Sequence, residues 1–528
     1  MVPWRRPPGE RDAGALSRVH LSRRRRRSRT VAQDILSELS KYDESERAVP
    51  LHPGRPFPTQ LRWGSATASY QVEGAVREGG RGVSIWDTFS RVPGAVLNGD
   101  TGDVAVDHYH RVPQDVAIMS DLGLQAYRFS VAWPRIQPTG SGPANAAGLD
   151  FYDDLVDRLL AAGIDPVVTL YHWDLPQALQ DAGGWLDRDT AERLAEYAAV
   201  VARRLGDRVS MWTTINEPWC AAFLGHASGE HAPGIRDHGA SLAAMHHLNL
   251  AHGLAARAVR AELGESAPVS VALNLHVVRA ATDSPQDQAA RHRLDLVGNE
   301  AFLGPLLDGA YPAELVEATA HLTDWSFVRP GDEATVRVPL DALGVNYYST
   351  SLVRGRGDGP ALPTSLADVP AGPDAWVACE DVEWVDQTGP RTAMGWNVDP
   401  SGLVEVLTGL HRRYPQLPLM VTENGAAFDD VVSPDGRVHD EQRVAYLHDH
   451  VAAVCEAMDA GADVRAYFVW SLLDNFEWAF GYDRRFGVVR VDPTTLERSV
   501  KDSGLWYAEV IRRHALPSPA EVHPAGLG

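Results

Sequence analysis

Apolar and polar residues follow two alternating patterns along this chain. Short, nearly unbroken apolar runs ending in turn residues occupy 61–69, 125–133, 165–173, 211–217, 268–275, 343–348, 418–423 and 465–472. Runs of this kind read as buried strands. Between them, Leu, Ala and Val recur at helical spacing over 112–122, 150–162, 189–205, 241–263, 401–413 and 440–460. Strands that alternate with amphipathic helices pair in parallel through right-handed crossovers. Eight such units predict an α/β fold, a single (β/α)8 barrel with long insertions in its βα loops. An open doubly wound sheet is the alternative. It is disfavoured because no Gly-x-Gly-x-x-Gly follows the first strand and no Gly-Lys-Ser/Thr phosphate loop is present. The longest irregular stretch, 351–395, is rich in Gly, Pro and Asp.

Two strand ends stand out. Pro418-Leu419-Met420-Val421-Thr422 runs into Glu423, and Asn424-Gly425 closes the run. Met211-Trp212-Thr213-Thr214-Ile215 runs into Asn216-Glu217, and Pro218 stops the ladder. A carboxylate at the end of a buried strand is costly unless it is paired or does chemistry. Two of them are the minimum equipment for cleaving a glycosidic bond. In a barrel the chemistry sits at the C-terminal strand ends. The other ends deliver Gln71 and Glu73, Arg128, His172-Trp173-Asp174, Asn274 and His276, Asn346 and Tyr348, and Trp470 followed by Glu477-Trp478. Hydrogen-bonding groups beside indole faces suit a sugar, which presents hydroxyls and flat C–H faces.

Charge narrows the partners. The chain of 528 residues carries a net charge of −21. Residues 1–30 hold ten Arg against two acidic residues, so the remainder carries −29. An acidic body disfavours nucleic acid as a partner. No apolar run is long enough for a transmembrane helix. Residues 1–50 read as an Arg-rich disordered extension rather than a nucleic-acid or membrane-surface arm, and they lack the apolar core of a secretory signal. Their deletion is expected to leave turnover and melting temperature unchanged. The predicted catalytic domain spans 56–513, with a short tail at 514–528. Cys220, Cys379 and Cys455 are few and far apart, which argues against a disulfide framework and for a cytoplasmic protein. Cys220 reads as a small packing residue. His246, His247, His252, His108 and His110 lack the His-Glu-x-x-His arrangement of a helical zinc site, so no metal is expected.

The chain resembles glycoside hydrolase family 1, the β-glucosidase and β-galactosidase group. The resemblance rests on Gly64-Ser65-Ala66-Thr67-Ala68-Ser69-Tyr70-Gln71-Val72-Glu73-Gly74, Tyr127-Arg128-Phe129-Ser130 and Tyr171-His172-Trp173-Asp174-Leu175-Pro176. It continues through Thr214-Ile215-Asn216-Glu217-Pro218, Asn346-Tyr347-Tyr348 and Thr422-Glu423-Asn424-Gly425 to Trp470-Ser471-Leu472-Leu473-Asp474-Asn475-Phe476-Glu477-Trp478. It implies a retaining β-D-glycosidase of the kind used in polysaccharide and cellulose degradation, with no cofactor and a small β-glycoside as substrate. Such an enzyme hydrolyses β-glucosides first, with β-galactosides and β-fucosides tolerated, by double displacement through a covalent glycosyl-enzyme. By the same resemblance Glu217 is the acid/base and Glu423 the nucleophile, with Arg128 and Tyr348 holding Glu423. Gln71, His172, Trp173, Asn216, Asn346, Trp396, Trp470, Glu477, Trp478 and Phe486 would bind substrate, and Trp219 and Trp396 would lie on the leaving-group side. Glu477 implies an unphosphorylated sugar, and a cis peptide is expected between Trp470 and Ser471. A transglycosylase on the same scaffold is the alternative enzyme. A glycan-binding protein on a dead scaffold is disfavoured because both carboxylates are present. Nothing in the sequence sets the oligomeric state.

Overall fold

A computed structural model describes residues 56–357 and 372–519. The Arg-rich segment 1–50, residues 358–371 of the long loop and residues 520–528 of the tail lie outside the described residues. Eight strands form the barrel. They are β1 (Arg62–Ala66), β2 (Ala126–Ser130), β3 (Asp165–Tyr171), β4 (Met211–Asn216), β5 (Val269–Asn274), β6 (Ala342–Asn346), β7 (Leu419–Asn424) and β8 (Val464–Trp470). Every pairing is parallel, each strand lies beside its sequence neighbours, and β8 closes on β1 with Arg62 opposite Ala466 and Ala66 opposite Trp470. All eight predicted strands are therefore present, trimmed by a residue or more at most ends.

Period-two alternation sorts the strand residues. Ala66, Ala126, Val167, Met211, Ala342, Met420, Ala466 and Phe468 fill the barrel interior. Trp63, Tyr127, Val168, Trp212, Val271, Leu343, Val421 and Tyr467 pack outward against the helices. Small interior side chains leave room near the mouth for larger polar ones. The longer helices among the described residues are α1 (His108–Asp121), α2 (Ala146–Ala161), α3 (Asp189–Leu205), α4 (His238–Leu263), α5 (Pro285–Asp295), α6 (Pro400–Arg413), α7 (Glu441–Asp459) and α8 (Asp502–Arg513).

Of these longer helices, α5 and α8 are additional to the predicted set, as are several shorter ones. In α8 the buried residues Ser503, Trp506, Tyr507, Val510 and Ile511 make a helical stripe, and the Tyr507 hydroxyl donates to Gly64 O at 2.8 Å. Pro56 bridges Ala515, Phe57 N–H donates to His514 O at 2.9 Å, and Leu516 is buried. The folded domain thus extends past residue 513, and the predicted tail begins on the barrel. A three-stranded sheet of 277–280, 350–355 and 382–384 stands beyond the strand ends.

Candidate active site

Both glutamates sit where a ladder slips. The β4–β5 register shifts between Thr213 and Asn216, and the β6–β7 register shifts between Val421 and Glu423. A bulge re-aims the residues that follow it. In β7 it turns Glu423 toward the axis although Met420 and Thr422 already face inward. Asn424 turns outward, where Tyr467 donates to its Oδ1 at 2.7 Å. Gly425 allows the exit: a Cβ there would stand 1.7 Å from Trp470 O. Glu217 adopts a left-handed backbone with φ of 44°, while its N–H still donates to Ala272 O at 2.8 Å. Non-glycine residues in that region carry strain and cluster at functional sites.

One hydrogen-bond network joins the two carboxyls. Arg128 Nη1 donates to Glu423 Oε1 at 2.7 Å and its Nη2 donates to Asn216 Oδ1 at 2.6 Å. The Tyr348 hydroxyl donates to Glu423 Oε2 at 2.7 Å. Asn346 Nδ2 donates to Glu217 Oε1 at 2.8 Å and to Asn216 Oδ1 at 3.1 Å. Thr422 in turn donates to Asn346 Oδ1 at 2.6 Å. Thr422 lies this close because the neighbouring strand β6 carries Gly344, where a Cβ would meet Thr422 Oγ1 at 2.9 Å.

The two glutamates have opposite surroundings. Burial and the negative charge of Glu423 push the Glu217 carboxyl up to about 8. Burial also raises Glu423, but the Arg128 guanidinium and the Tyr348 hydroxyl oppose the rise. Glu423 is therefore the member of the pair that ionises first, and Glu217 is the one that keeps a proton. Burial beside Glu423 holds the Tyr348 phenol far above its ordinary range, so it remains a donor. Glu477, half-buried near both and without a cation beside it, is pushed up to about 8 by the loss of solvent and by the charges of the other two.

These groups surround a cavity of about 920 Å3 lined by Glu217, Glu423, His172, Trp173, Asn346, Tyr348, Trp396, Trp470, Glu477, Trp478 and Phe486. Gln71, Arg128 and Asn216 are fully buried behind that lining. Two of the deep polar groups have a free side. Gln71 Nε2 donates to Asn475 Oδ1 at 3.0 Å and Phe476 O at 2.9 Å, and Oε1 is left with no protein partner. Asn216 offers its Oδ1 to Arg128, so its amide nitrogen is the donor to His172 Nε2 at 3.1 Å. Burial and Arg128 hold His172 far below its ordinary range, so the ring is neutral. Its proton is then on Nδ1, which has no protein partner. A buried acceptor and a buried donor without partners are sites for the hydroxyls of a ligand.

The walls are aromatic. Trp470 lies nearly parallel to His172, with centroids 5.9 Å apart, and its peptide to Ser471 is cis, as expected. Trp478 packs between Trp86 at 4.5 Å and Trp173 at 4.6 Å. Trp173 also donates from Nε1 to Asn216 O at 2.9 Å, so it positions Asn216 as well as lining the cavity. Tyr348, Trp396 and Phe486 cluster on the Glu423 side. On the opposite flank Trp219 packs on His276 at 4.8 Å, and both line the cavity with Asn274.

Two expectations change. Glu73 is no site residue: Arg135 Nε donates to it at 3.0 Å and Tyr152 also binds it, away from the cavity. The chain leaves β1 through the short helix Ser69–Val72, which keeps Gln71 toward the site and swings Glu73 away. Cys220 is more than packing, since its Sγ lies 3.3 Å from Glu217 Oε2. The histidines have ordinary partners: His246 Nε2 meets Asp332 at 2.9 Å, His247 Nδ1 meets Trp185 O at 2.9 Å, and His252 Nδ1 meets Thr214 Oγ1 at 2.6 Å. His108 and His110 pair with Asp115 and Asp107 through their Nδ1 atoms.

Known proteins place this arrangement. Residues 54–516 match the sequence model of the family described as glycosyl hydrolase family 1. A bifunctional β-D-glucosidase/β-D-fucosidase of Bifidobacterium breve is 52% identical over 467 residues, covering 87% of this chain and 99% of that protein. β-Glucosidase A of Thermotoga maritima is 44% identical over 461 residues, covering 87% and 98%. A solved psychrophilic β-glucosidase of Micrococcus antarcticus superposes with a TM-score of 0.83 at 45% identity, over 87% of this chain and 98% of that one.

Proposed function

Because this chain belongs to glycosyl hydrolase family 1, we propose that it is a retaining β-D-glucosidase working through Glu423 as nucleophile and Glu217 as acid/base. The observation that carries this reading is the pair of unlike environments in one cavity. Glu423 accepts from a guanidinium and a phenol, whereas Glu217 is held protonated by burial and by the charge of Glu423. Glu423 attacks the anomeric carbon as the bond to the leaving oxygen breaks, and Glu217 gives its proton to that oxygen. Esterification removes the charge on Glu423. The proton affinity of Glu217 falls, and it accepts a proton from the water that releases the sugar with its β configuration retained.

The sugar's hydroxyls are assigned to Gln71 Oε1, His172 Nδ1, Asn216 and Glu477, and its apolar face to Trp470. The negative charge of Glu423, joined by that of Glu477 as pH rises through about 8, makes the pocket hostile to a phosphate dianion. Unphosphorylated β-glucosides are thus the proposed substrates, including short β-linked glucans from cellulose breakdown. β-Fucosides are proposed as secondary substrates, in keeping with the relative named for both activities. A cytoplasmic setting is proposed on the strength of three buried thiols with no disulfide. A panel of nitrophenyl β-glycosides, with and without a 6-phosphate, tests the assignment. Fastest turnover of the plain glucoside is expected, and preference for the 6-phosphate would overturn it.

A further inference from the structure

Taking Glu217 as the acid/base, we propose that Cys220 is a positioning residue that aims and tunes it through a thiol hydrogen bond. Cys220 stands one helical turn after Glu217, at the start of the wide helical turn Cys220–Ser228, with its N–H donating to Glu217 O at 3.0 Å. Its sulfur lies 3.3 Å from Glu217 Oε2 and 3.5 Å from Asn274 Nδ2.

Polarity along this line is fixed from both ends. Asn274 Nδ2 carries only donors, so it occupies a sulfur lone pair and leaves the S–H to face Oε2. On the other oxygen of Glu217, Asn346 Nδ2 is the donor, and its second contact, to the Asn216 Oδ1 that Arg128 holds in place, keeps that amide from turning over. Each oxygen of Glu217 therefore receives one donor from a different element. The carboxyl plane is pinned, with Oε2 left a second direction in which to hold its own proton. Burial beside Glu217 keeps the thiol far above its ordinary range, so it remains an S–H donor and not a thiolate. A thiol is a weak donor. It therefore orients Oε2 without competing strongly for the proton that the reaction needs. When Glu217 is anionic, the same S–H stabilises the charge.

Three readouts follow. In Cys220→Ala the carboxylate loses a donor, so the alkaline limb of kcat/KM should move upward by about half a unit. Cys220→Ser restores a donor of similar reach, and the limb should return. Because the proton is then less well aimed, Cys220→Ala should lose about three- to tenfold on an alkyl glucoside, which needs protonation, and little on a dinitrophenyl glucoside. The infrared S–H stretch gives a measure independent of activity. The band lost in Cys220→Ala should lie at hydrogen-bonded frequency in the wild type. It should shift upward in Glu217→Gln, because Asn346 claims the amide oxygen and turns the NH2 toward the sulfur. An unmoved limb with equal losses on both glucosides, or an S–H band indifferent to Glu217→Gln, would show that Cys220 only fills space. Should Cys220→Ala fail to fold, Cys220→Ser and the wild-type band decide the matter. Failure of azide to rescue Glu217→Gln would instead refute the acid/base reading on which the proposal rests.

Discussion

The Thr422 hydroxyl donates to Asn346 Oδ1 at 2.6 Å, completing an amide whose nitrogen is held toward Glu217 and toward the Asn216 Oδ1 that Arg128 fixes. Reversed, the amide would set oxygen against oxygen at both Glu217 and Asn216. Thr422→Val removes the donor at nearly constant volume. Its kcat/KM for an alkyl glucoside should fall by about five- to tenfold, the worth of one hydrogen bond of about 1 kcal/mol. Thr422→Ser should restore most of the loss. Steady-state kinetics on the two variants check this, and equal losses in both would point to the methyl group instead.

The pH profile has a required sign on each side. Glu217 must be protonated to act as acid, so kcat/KM should decline as pH rises through about 8. Glu423 must be ionised, so activity should decline toward acid as it takes up a proton. Tyr348 stabilises the ionised form, and its removal in Tyr348→Phe raises the proton affinity of Glu423. The acid limb should therefore move to higher pH while the alkaline limb stays near its place. A profile of kcat/KM against pH for both enzymes measures it. An acid limb that moved downward would mean that Tyr348 does not donate to the carboxylate.

Glu477 should act on binding and on discrimination together. Glu477→Gln keeps the shape and replaces a carboxyl that ionises as pH rises through about 8, costing about five- to tenfold in kcat/KM on the nitrophenyl glucoside at neutral pH and more above about pH 8. It should also relieve repulsion of a 6-phosphate, so the ratio of plain to phosphorylated substrate should fall. Competition kinetics with both sugars reads that ratio.

Glu73 offers a control for structural roles. Its carboxylate is the buried partner of Arg135, whose side chain is fully buried as well. Glu73→Ala strands that guanidinium and should cost about 3–5 kcal/mol of stability. Thermal unfolding should show the loss, while KM of the surviving enzyme at low temperature stays near the wild-type value. A raised KM without loss of stability would return Glu73 to the substrate site.

The barrel was legible because each β-strand is a short apolar run cut off by a turn, and the residue at the cut is the one that faces the mouth. That reading placed Arg128, Glu217, Asn346, Tyr348 and Glu423 in one site. It failed at Glu73 because β1 ends at Ala66 and a helical turn intervenes, after which strand parity no longer tells which way a side chain points. It missed the donation from Thr422 to Asn346, which joins residues 76 apart through adjacent strands. Cys220 carried a usable signal, its spacing of three from Glu217, but only the helical turn after Pro218 brings the thiol back to the carboxyl. Helix α8 is hidden in the sequence although its buried stripe is periodic, because Asp502, Ser503 and Gly504 open it with a turn-like composition.

The assignment of the two glutamates is tested most directly by azide. Glu217→Gln should still be glycosylated by a dinitrophenyl glucoside, which needs little protonation, and should then stall because water has no base. Azide needs no deprotonation, so it should restore turnover and yield the β-glucosyl azide. Glu423→Ala has no nucleophile, and azide should enter from the vacated face to give the α-glucosyl azide. Product anomers identified by NMR decide the outcome. An α-azide from Glu217→Gln and a β-azide from Glu423→Ala would contradict the account, since the two carboxyls would then have exchanged roles.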